Sequence, residues 1–483
     1  MRVVLLRTAI LIALFQWGGT WVNSSLLAQD PPLPPGLGGD DPPSSPSGLG
    51  DDADDAPALP PGLGGAEPTD ENSSGGADDA EPWLTFLPRG FVEARGGTWL
   101  HTNGDQRDGS VGEQRAQVGL EAVTDGWTAR LTLDVISDAV AREQRIDLER
   151  GLGFIDLREA NVSFSPTDTI DVRLGRQVLT WGTGDLVFIN DLFPKDYPSF
   201  FLGRDVEYLK APSDALRVSA FHEFANVDVV YTPNFDPDRS IDGSRVSYYS
   251  PALDAVVGNS AIVASDRPSS WFDDDEWAVR IHRRFDATEV ALYGYLGRWK
   301  SPVGFDPAAN RAIHPRLAVT GASVRRPVVG GIGNVEVGFY DSLDDRDGDD
   351  PNIPNGQLRG LIGFEREIGT DRTLGVQASL EHRLDHSAYR RALPSGQPRG
   401  DRDRVVLTAR LTQLLLAQNL ELSLFAFVSP TDDDAYLRPR ASYAIDDHWS
   451  VEVGGNVFLG RDTTFFGQFE ESSNVYFAVR YGF

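Results

Sequence analysis

From Trp83 to the C-terminus, the sequence repeats runs of about ten residues in which every second side chain is apolar. In Thr128–Val135, for example, the apolar positions alternate with Thr128, Arg130, Thr132 and Asp134. A period of two places alternate side chains on opposite faces of a strand. No apolar run here is long enough to cross a bilayer as a helix. The pattern predicts an all-β fold whose strands have one apolar and one polar face.

Two all-β folds are compatible with this pattern. In a soluble sandwich the apolar faces form the core, and in a membrane barrel they meet lipid. The final segment, Asn474–Phe483, favours the barrel because apolar and aromatic side chains alternate up to the last residue. An unpaired apolar edge at a terminus promotes aggregation of a soluble protein, whereas the last strand of a barrel pairs with the first.

This ending resembles that of Gram-negative outer-membrane proteins, which finish on an aromatic residue preceded by alternating apolar positions. The resemblance implies that Tyr481 and Phe483 form an assembly signal read by the barrel-assembly machinery. It also implies an outer-membrane location, with membrane lipid and lipopolysaccharide as partners.

The N-terminal part divides into two segments before the predicted barrel, residues 83–483. Residues 1–28 have two arginines, a short apolar run and a small-residue end, which is typical of a secretory signal peptide. Residues 29–82 are rich in Pro, Gly and Asp and hold 13 acidic residues and no Lys or Arg. Such a composition cannot bury enough apolar surface to fold, so we expect a disordered linker. It is either a solvated leader or a tether that contacts the cell wall.

The connections between the predicted strands alternate between short turns and long loops, as expected for a barrel with short periplasmic turns. Counting the runs gives about 18 strands, with 16–18 as the range. The fold class is therefore an antiparallel transmembrane β-barrel preceded by a disordered linker. A barrel of this size leaves an aqueous lumen, so the sequence predicts a channel for passive diffusion of small hydrophilic solutes.

The connection Trp181–Ser213 is too long for a bare loop and contains five aromatic residues between Phe188 and Phe201. Aromatic side chains at this density need a surface to pack on. Two arrangements would provide it: the loop folds into the barrel and narrows the lumen, as a constriction or a plug, or it packs on top of the barrel as a lid. Its charged candidates for the constriction are Asp185, Lys195 and Arg204.

A short motif precedes this loop. Asp171–Gly184 contains Leu-Gly-Arg-Gln followed by Trp-Gly. The motif resembles one found in porin-like barrels, including the alginate-export type and a related uncharacterised family. The resemblance implies that Arg173, Arg176 and Gln177 occupy its polar positions, where they either line the constriction or pack within the wall.

The predicted inner face mixes basic and acidic residues. The candidates for lining the pore, in addition to those already named, are Arg115, Arg130, Asp134, Asp171, Arg438, Arg440 and Arg480. The last three form the strongest local cationic patch. The mixture favours a general pore, with a polysaccharide exporter and a structural, cell-wall-tethering barrel as alternatives.

Other functional classes receive little support. We find no catalytic motif and no spacing of metal ligands, and cysteine is absent, so we expect no enzyme activity. The net charge of −28 argues against nucleic acid as a partner. The acidic runs Asp273–Glu276, Asp341–Asp350 and Asp432–Asp434 are candidates for Ca²⁺ binding, with solvated loops as the alternative.

Overall fold

The computed structural model describes residues 85–101, 105–141, 145–250, 253–395 and 399–483. The predicted signal peptide and linker lie outside the described residues. The strands are β1 (Thr85–Trp99), β2 (Gly109–Val123), β3 (Trp127–Asp138), β4 (Ile155–Thr167), β5 (Ile170–Val178), β6 (Pro212–Ala220), β7 (Asn226–Thr232), β8 (Tyr248–Ser250), β9 (Ala255–Val257), β10 (Ser265–Asp266), β11 (Glu276–Phe285), β12 (Thr288–Arg298), β13 (Gly304–Asp306), β14 (Arg311–Ile313), β15 (Arg316–Val328), β16 (Gly331–Ser342), β17 (Gln357–Gly369), β18 (Arg372–Arg383), β19 (Asp403–Leu415), β20 (Leu420–Ser429), β21 (Asp434–Ala444), β22 (Trp449–Leu459) and β23 (Asn474–Gly482). The helices are α1 (Tyr197–Phe201) and α2 (His386–Ala392), with 3₁₀ turns at Val206–Leu209 and Gly467–Ser472.

Eighteen of these strands form one sheet that closes on itself. Each pairs antiparallel with its neighbours along the chain, and β1 pairs with both β2 and β23. The short strands β8, β9, β10, β13 and β14 lie in loops and form two small separate sheets. The prediction of an 18-stranded antiparallel barrel is confirmed.

The seam between the first and last strands is continuous. The register runs from Phe91 opposite Gly482 to Trp99 opposite Asn474. Beyond it, Gly90 and Phe483 exchange two backbone hydrogen bonds, each 3.0 Å long. The predicted terminal strand is thus the one that closes the ring, and it leaves no apolar edge unpaired.

The outside of the barrel is apolar and uncovered. Leu174, Ile362 and Val453 are 58%, 62% and 55% exposed, respectively, in the middle of their strands. Their neighbours along each strand point inward, as a period of two requires. An apolar band that surrounds a closed barrel is stable only against lipid.

Tight turns join the strands at one end of the barrel. Two of them, between β11 and β12 and between β17 and β18, place Asp286 and Asp371 at φ values of 51° and 53°. Asp tolerates this left-handed conformation better than most residues, which suits it to a two-residue hairpin. The opposite end carries the long loops, so the two ends of the barrel differ as predicted.

The helices are short. Within the described ranges, none combines the length and apolarity needed to span a bilayer.

Candidate constriction site

The connection between β5 and β6, residues 179–211, is called L3 here. It contains α1 and the following 3₁₀ turn. Asp196 caps α1 by accepting a hydrogen bond from the Ser199 backbone N–H at 2.8 Å, and Pro198 occupies the first turn. This local structure directs Phe200 and Phe201 away from solvent, and both rings are buried.

One aromatic cluster holds this part of L3 against the wall. The Phe201 ring lies 5.5 Å from the Tyr436 ring and 4.9 Å from the Phe458 ring, both of which point inward from their strands. Leu202 and Leu209 complete the L3 side of the cluster. Each buried aromatic side chain contributes a few kcal/mol, so this cluster stabilises the attachment of L3 to the wall.

A second cluster holds the start of L3 on another part of the wall. Phe193 packs edge-on against Trp181 with ring centroids 5.0 Å apart. Phe193 belongs to a buried group that includes Tyr295 on β12 and Tyr340 on β16, and the half-buried Trp181 packs against this group. L3 is therefore anchored by apolar contacts at two separate places inside the barrel.

Charged pairs fix the turn that follows α1. The Asp205 carboxylate accepts hydrogen bonds from Arg480 on β23 and lies 3.7 Å from the Arg440 guanidinium on β21. Burial alone would raise the pKa of Asp205, but the guanidinium groups of Arg480, Arg440 and Arg95 outweigh burial and hold it below its ordinary value. Asp205 thus remains ionised and links L3 to two strands of the wall.

Residues on either side of Asp205 bind β2 and β3. Arg204 donates to Glu113 on β2, which also accepts from Arg115 at 2.8 Å. The Tyr208 hydroxyl donates to Asp134 on β3 at 3.0 Å. Arg115 also donates to Asp134, so one connected network joins L3 to both strands.

The earlier part of L3 binds the opposite wall. Glu336 on β16 accepts hydrogen bonds from the backbone N–H groups of Thr183 and Asn190, each at 3.1 Å. Asp185 accepts from Arg410 on β19 at 2.6 Å. In the ring of 18 strands, β16 is the eleventh and β2 the second, so they lie nine positions apart. L3 therefore crosses the full width of the barrel interior.

The connection between β7 and β11, residues 233–275, is called L4 here, and it locks L3 in place. The buried Arg239 guanidinium donates to both carboxylate oxygens of Asp156 on β4, at 2.9 and 2.8 Å, and to Asp196 of L3 at 3.1 Å. Asp238 accepts from the Lys195 backbone N–H at 2.8 Å. A planar guanidinium can donate to two carboxylates at once, so Arg239 of L4 links β4 to L3.

Most of the residues predicted to line the pore meet at L3. Some of them lie on L3, and others contact L3 or a residue that pairs with L3. These residues are Arg115, Asp134, Asp185, Lys195, Arg204, Arg438, Arg440 and Arg480. Lys195 itself is buried and pairs with Asp191 at 3.0 Å. Arg438 donates to the Arg204 carbonyl and lies 4.5 Å above the Phe200 ring. The predicted cationic patch is therefore occupied by L3 and its carboxylates.

The other predicted residues lie elsewhere on the wall. Asp171 accepts from Ser165 near the tight turns, and Arg173 donates to Ser163. Arg130 pairs with Glu121 at 3.2 Å. Gln177 is fully buried and donates to the carbonyls of Gly175 and Ala215. Their role at a constriction stays a prediction.

Several residues of the network were not predicted. Arg95 on β1 donates to Glu93, Glu452 and the Gly203 carbonyl, and its side chain is almost completely buried. Arg239 was equally unexpected. Alternation along β1 could have placed Glu93 and Arg95 inside, but nothing in the sequence pairs residues so far apart in the chain.

Residues of each acidic run have partners within the protein, such as Arg298 for Asp274 and Arg404 for Asp432. Asp345 accepts from the backbone N–H groups of Asp349 and Asp350, and Asp341 pairs with Arg346 at 3.0 Å. In the described part of the chain, three carboxylates whose oxygens lie within 4.8 Å of one another occur at Glu149, Asp214 and Asp236, outside the predicted runs. Ca²⁺ binding by the acidic runs stays a prediction.

A closed antiparallel ring, an apolar outer band and a charged interior define a class. The protein is an 18-stranded antiparallel β-barrel of the membrane-spanning class, with its apolar band toward lipid. No protein-family model matches the sequence, and no curated protein matches it significantly.

Solved outer-membrane barrels are similar to this chain in structure. OccAB1 of Acinetobacter baumannii is 9% identical with a TM-score of 0.49, and the alignment covers 84% of this chain and 97% of that one. OccK5 (OpdH) of Pseudomonas aeruginosa is 11% identical with a TM-score of 0.45, covering 83% and 97%. OmpF of Salmonella typhi is 10% identical with a TM-score of 0.41, covering 82% and 97%.

A histidine beside L4 predicts a pH dependence. Burial, against the hydrogen bond to the Trp299 carbonyl, and the nearby charges of Lys300, Arg267 and Arg298 together lower the pKa of His314 to about 4. Because the folded state binds its proton more weakly than the unfolded state does, the stabilising contribution is complete above about pH 6.5 and is lost as the pH falls towards 4. Between these two pH limits, the contribution of His314 to the free energy of unfolding changes by about 3 kcal/mol.

Hydrogen exchange measures this effect. Between pH 7 and 4.5, protection factors around His314 and its ring neighbour Phe235 should fall. His314→Phe, which keeps a ring but cannot titrate, should flatten the dependence. The exposed His222, changed in the same way, should leave it unaltered. An unchanged profile in the His314 variant would assign the dependence to another group.

Proposed function

We propose that this protein is an outer-membrane channel for passive diffusion of small hydrophilic solutes, with L3 narrowing the lumen. The observation that carries the proposal is that L3 crosses the interior of an 18-stranded barrel and is held there at both walls. A barrel of this size without an inserted segment has an aqueous interior, and a segment across it sets the width of the path. The charges around L3 then act on any solute that passes.

The charge arrangement favours a general pore over an exporter of an anionic polysaccharide. A polyanion needs free cations along its path. Arg440 pairs instead with Glu452 at 2.6 Å, and Arg480 pairs with Glu93 at 2.7 Å. The structural, cell-wall-tethering alternative depends on residues 29–82, which lie outside the described residues. The contacts of L3 and the wall give it no support.

Liposome swelling tests the proposal. Liposomes that contain the full-length protein should swell in isotonic solutions of small sugars, with rates that fall steeply as the sugar grows, because L3 limits the width. Protein-free liposomes and liposomes with heat-denatured protein are the controls. Absence of swelling with the smallest sugar, from protein that is folded by its heat-modifiable migration, would contradict a diffusion channel.

A further inference from the structure

A cavity with four charged side chains in its lining lies between L3 and the wall formed by β15 to β19. Its charged lining residues are Asp185, Arg325, Glu365 and Arg410, and Asn334 is among the polar ones. The formal charges of this set cancel, but they are unevenly placed. The anionic groups gather at one end, and one guanidinium stands apart at the other.

At the anionic end, the Asp185 carboxylate pairs with Arg410, and the Glu365 carboxylate lies close by. Arg410 donates to Asp185 at 2.6 Å. The Glu365 carboxylate lies over Gly375, where an added Cβ would be 3.3 Å from Glu365 Oε2, and Gly375 is the strand partner of Arg410. Burial raises the pKa of Asp185, and repulsion from Glu365 adds to this, against the attraction of Arg410. A second cation would relieve the repulsion between the carboxylates.

At the other end, the Arg325 side chain is exposed and makes no hydrogen bond or ion pair with any residue in the described ranges. It projects from β15 opposite Asn334 on β16, which in turn lies opposite Gly363 on β17, two residues from Glu365. Two strand spacings separate β15 from β17 by about 10 Å. Arg325 and Glu365 therefore line the same cavity from strands that are two positions apart in the wall.

We propose that this cavity is a binding subsite for a small zwitterionic solute, such as a free amino acid or a short peptide. The ammonium group lies between Glu365 and Asp185, and the carboxylate pairs with Arg325. An ammonium has three donors for the two carboxylates, and a guanidinium matches a carboxylate in two parallel hydrogen bonds. The inference rests on the proposed channel function, because the subsite is then a station on the path of the solute.

Equilibrium dialysis of the full-length protein in detergent tests binding without requiring conduction. Four labelled probes of similar size separate the charges: glycylglycine is a zwitterion, N-acetylglycine an anion, glycinamide a cation, and N-acetylglycinamide neutral. Glycylglycine should bind about fivefold more tightly than either singly charged probe, the upper range for one partly solvated ion pair. The neutral probe should bind most weakly.

Substitutions at the two ends should both weaken glycylglycine binding but should differ in which singly charged probe they affect. Glu365→Gln should weaken glycylglycine and glycinamide but spare N-acetylglycine, and Arg325→Gln should weaken glycylglycine and N-acetylglycine but spare glycinamide. Arg326→Gln is the matched control, because this neighbouring residue points to the other face of β15 and does not line the cavity. The proposal is overturned if the four probes bind equally or if both variants bind glycylglycine like the wild type. Liposomes that swell with sugars despite such a result would leave the channel function standing.

Discussion

Replacement of residues 182–209 by a short Gly-Ser linker is expected to raise the single-channel conductance at least about twofold. L3 crosses the interior between β16 and β2, so it occupies cross-section that would otherwise hold water and ions. The barrel should still close, because its backbone ladder and the seam between β1 and β23 do not involve this segment. Planar-bilayer recordings of the purified variant beside the wild type provide the measurement.

The matched control is the same linker in place of residues 386–395, which include α2. This helix has no buried residues, so its loss should leave the conductance unchanged. Equal conductance of the L3 variant and the wild type, with both barrels folded, would mean that the conducting path does not pass L3. A wild type that is silent while the variant conducts would identify L3 as a plug.

Arg239→Met is expected to loosen the attachment of L3 by about 3–5 kcal/mol, the range for removing one partner of a buried ion pair. The substitution keeps much of the side-chain volume but leaves Asp156 and Asp196 buried without their shared cation. Asp196 also caps α1, so the helix that carries Phe201 should be released with it. Hydrogen exchange in L3 and current fluctuations in open channels should both increase.

Arg150→Met separates this effect from a general loss of charge. Arg150 lies on a neighbouring loop and pairs with Asp242 of L4, but about half of its side chain is exposed, so the pair contributes little. Addition of Asp156→Asn to Arg239→Met should recover part of the loss, because it removes one unpaired carboxylate. If Arg239→Met and Arg150→Met change hydrogen exchange in L3 and the current fluctuations equally, the buried ion pairs of Arg239 do not hold L3.

The barrel itself was predictable because each strand carries its own signal. Alternation in Trp449–Leu459 predicts the bounds of β22, and the aromatic ending at Phe483 predicts the closing strand. Both signals are local, since the lipid face and the inner face lie on alternate residues of the same strand. The composition of L3 predicted only that it packs on a surface, because so many aromatic side chains need burial, and it left an inward path and a lid on top of the barrel both open.

The partners of the charged residues were not predictable. Asp205 meets Arg480 across 275 positions of sequence, and Arg95 meets Glu452 across 357. Such pairs depend on the register of the ring and on the path of L3 through it, and no periodicity contains that information. For the same reason, the sequence predicted that Arg438, Arg440 and Arg480 form a cationic patch. In the folded protein, Asp205, Glu93 and Glu452 pair with arginines of this patch.

The central claim is that solutes pass through a lumen that L3 narrows. Single-channel conductance of the full-length protein in a planar bilayer, with the reversal potential in a salt gradient, tests it most directly. We predict stable open steps and weak ion selectivity, because the cations and carboxylates around L3 are paired. A folded barrel that never conducts would contradict the claim.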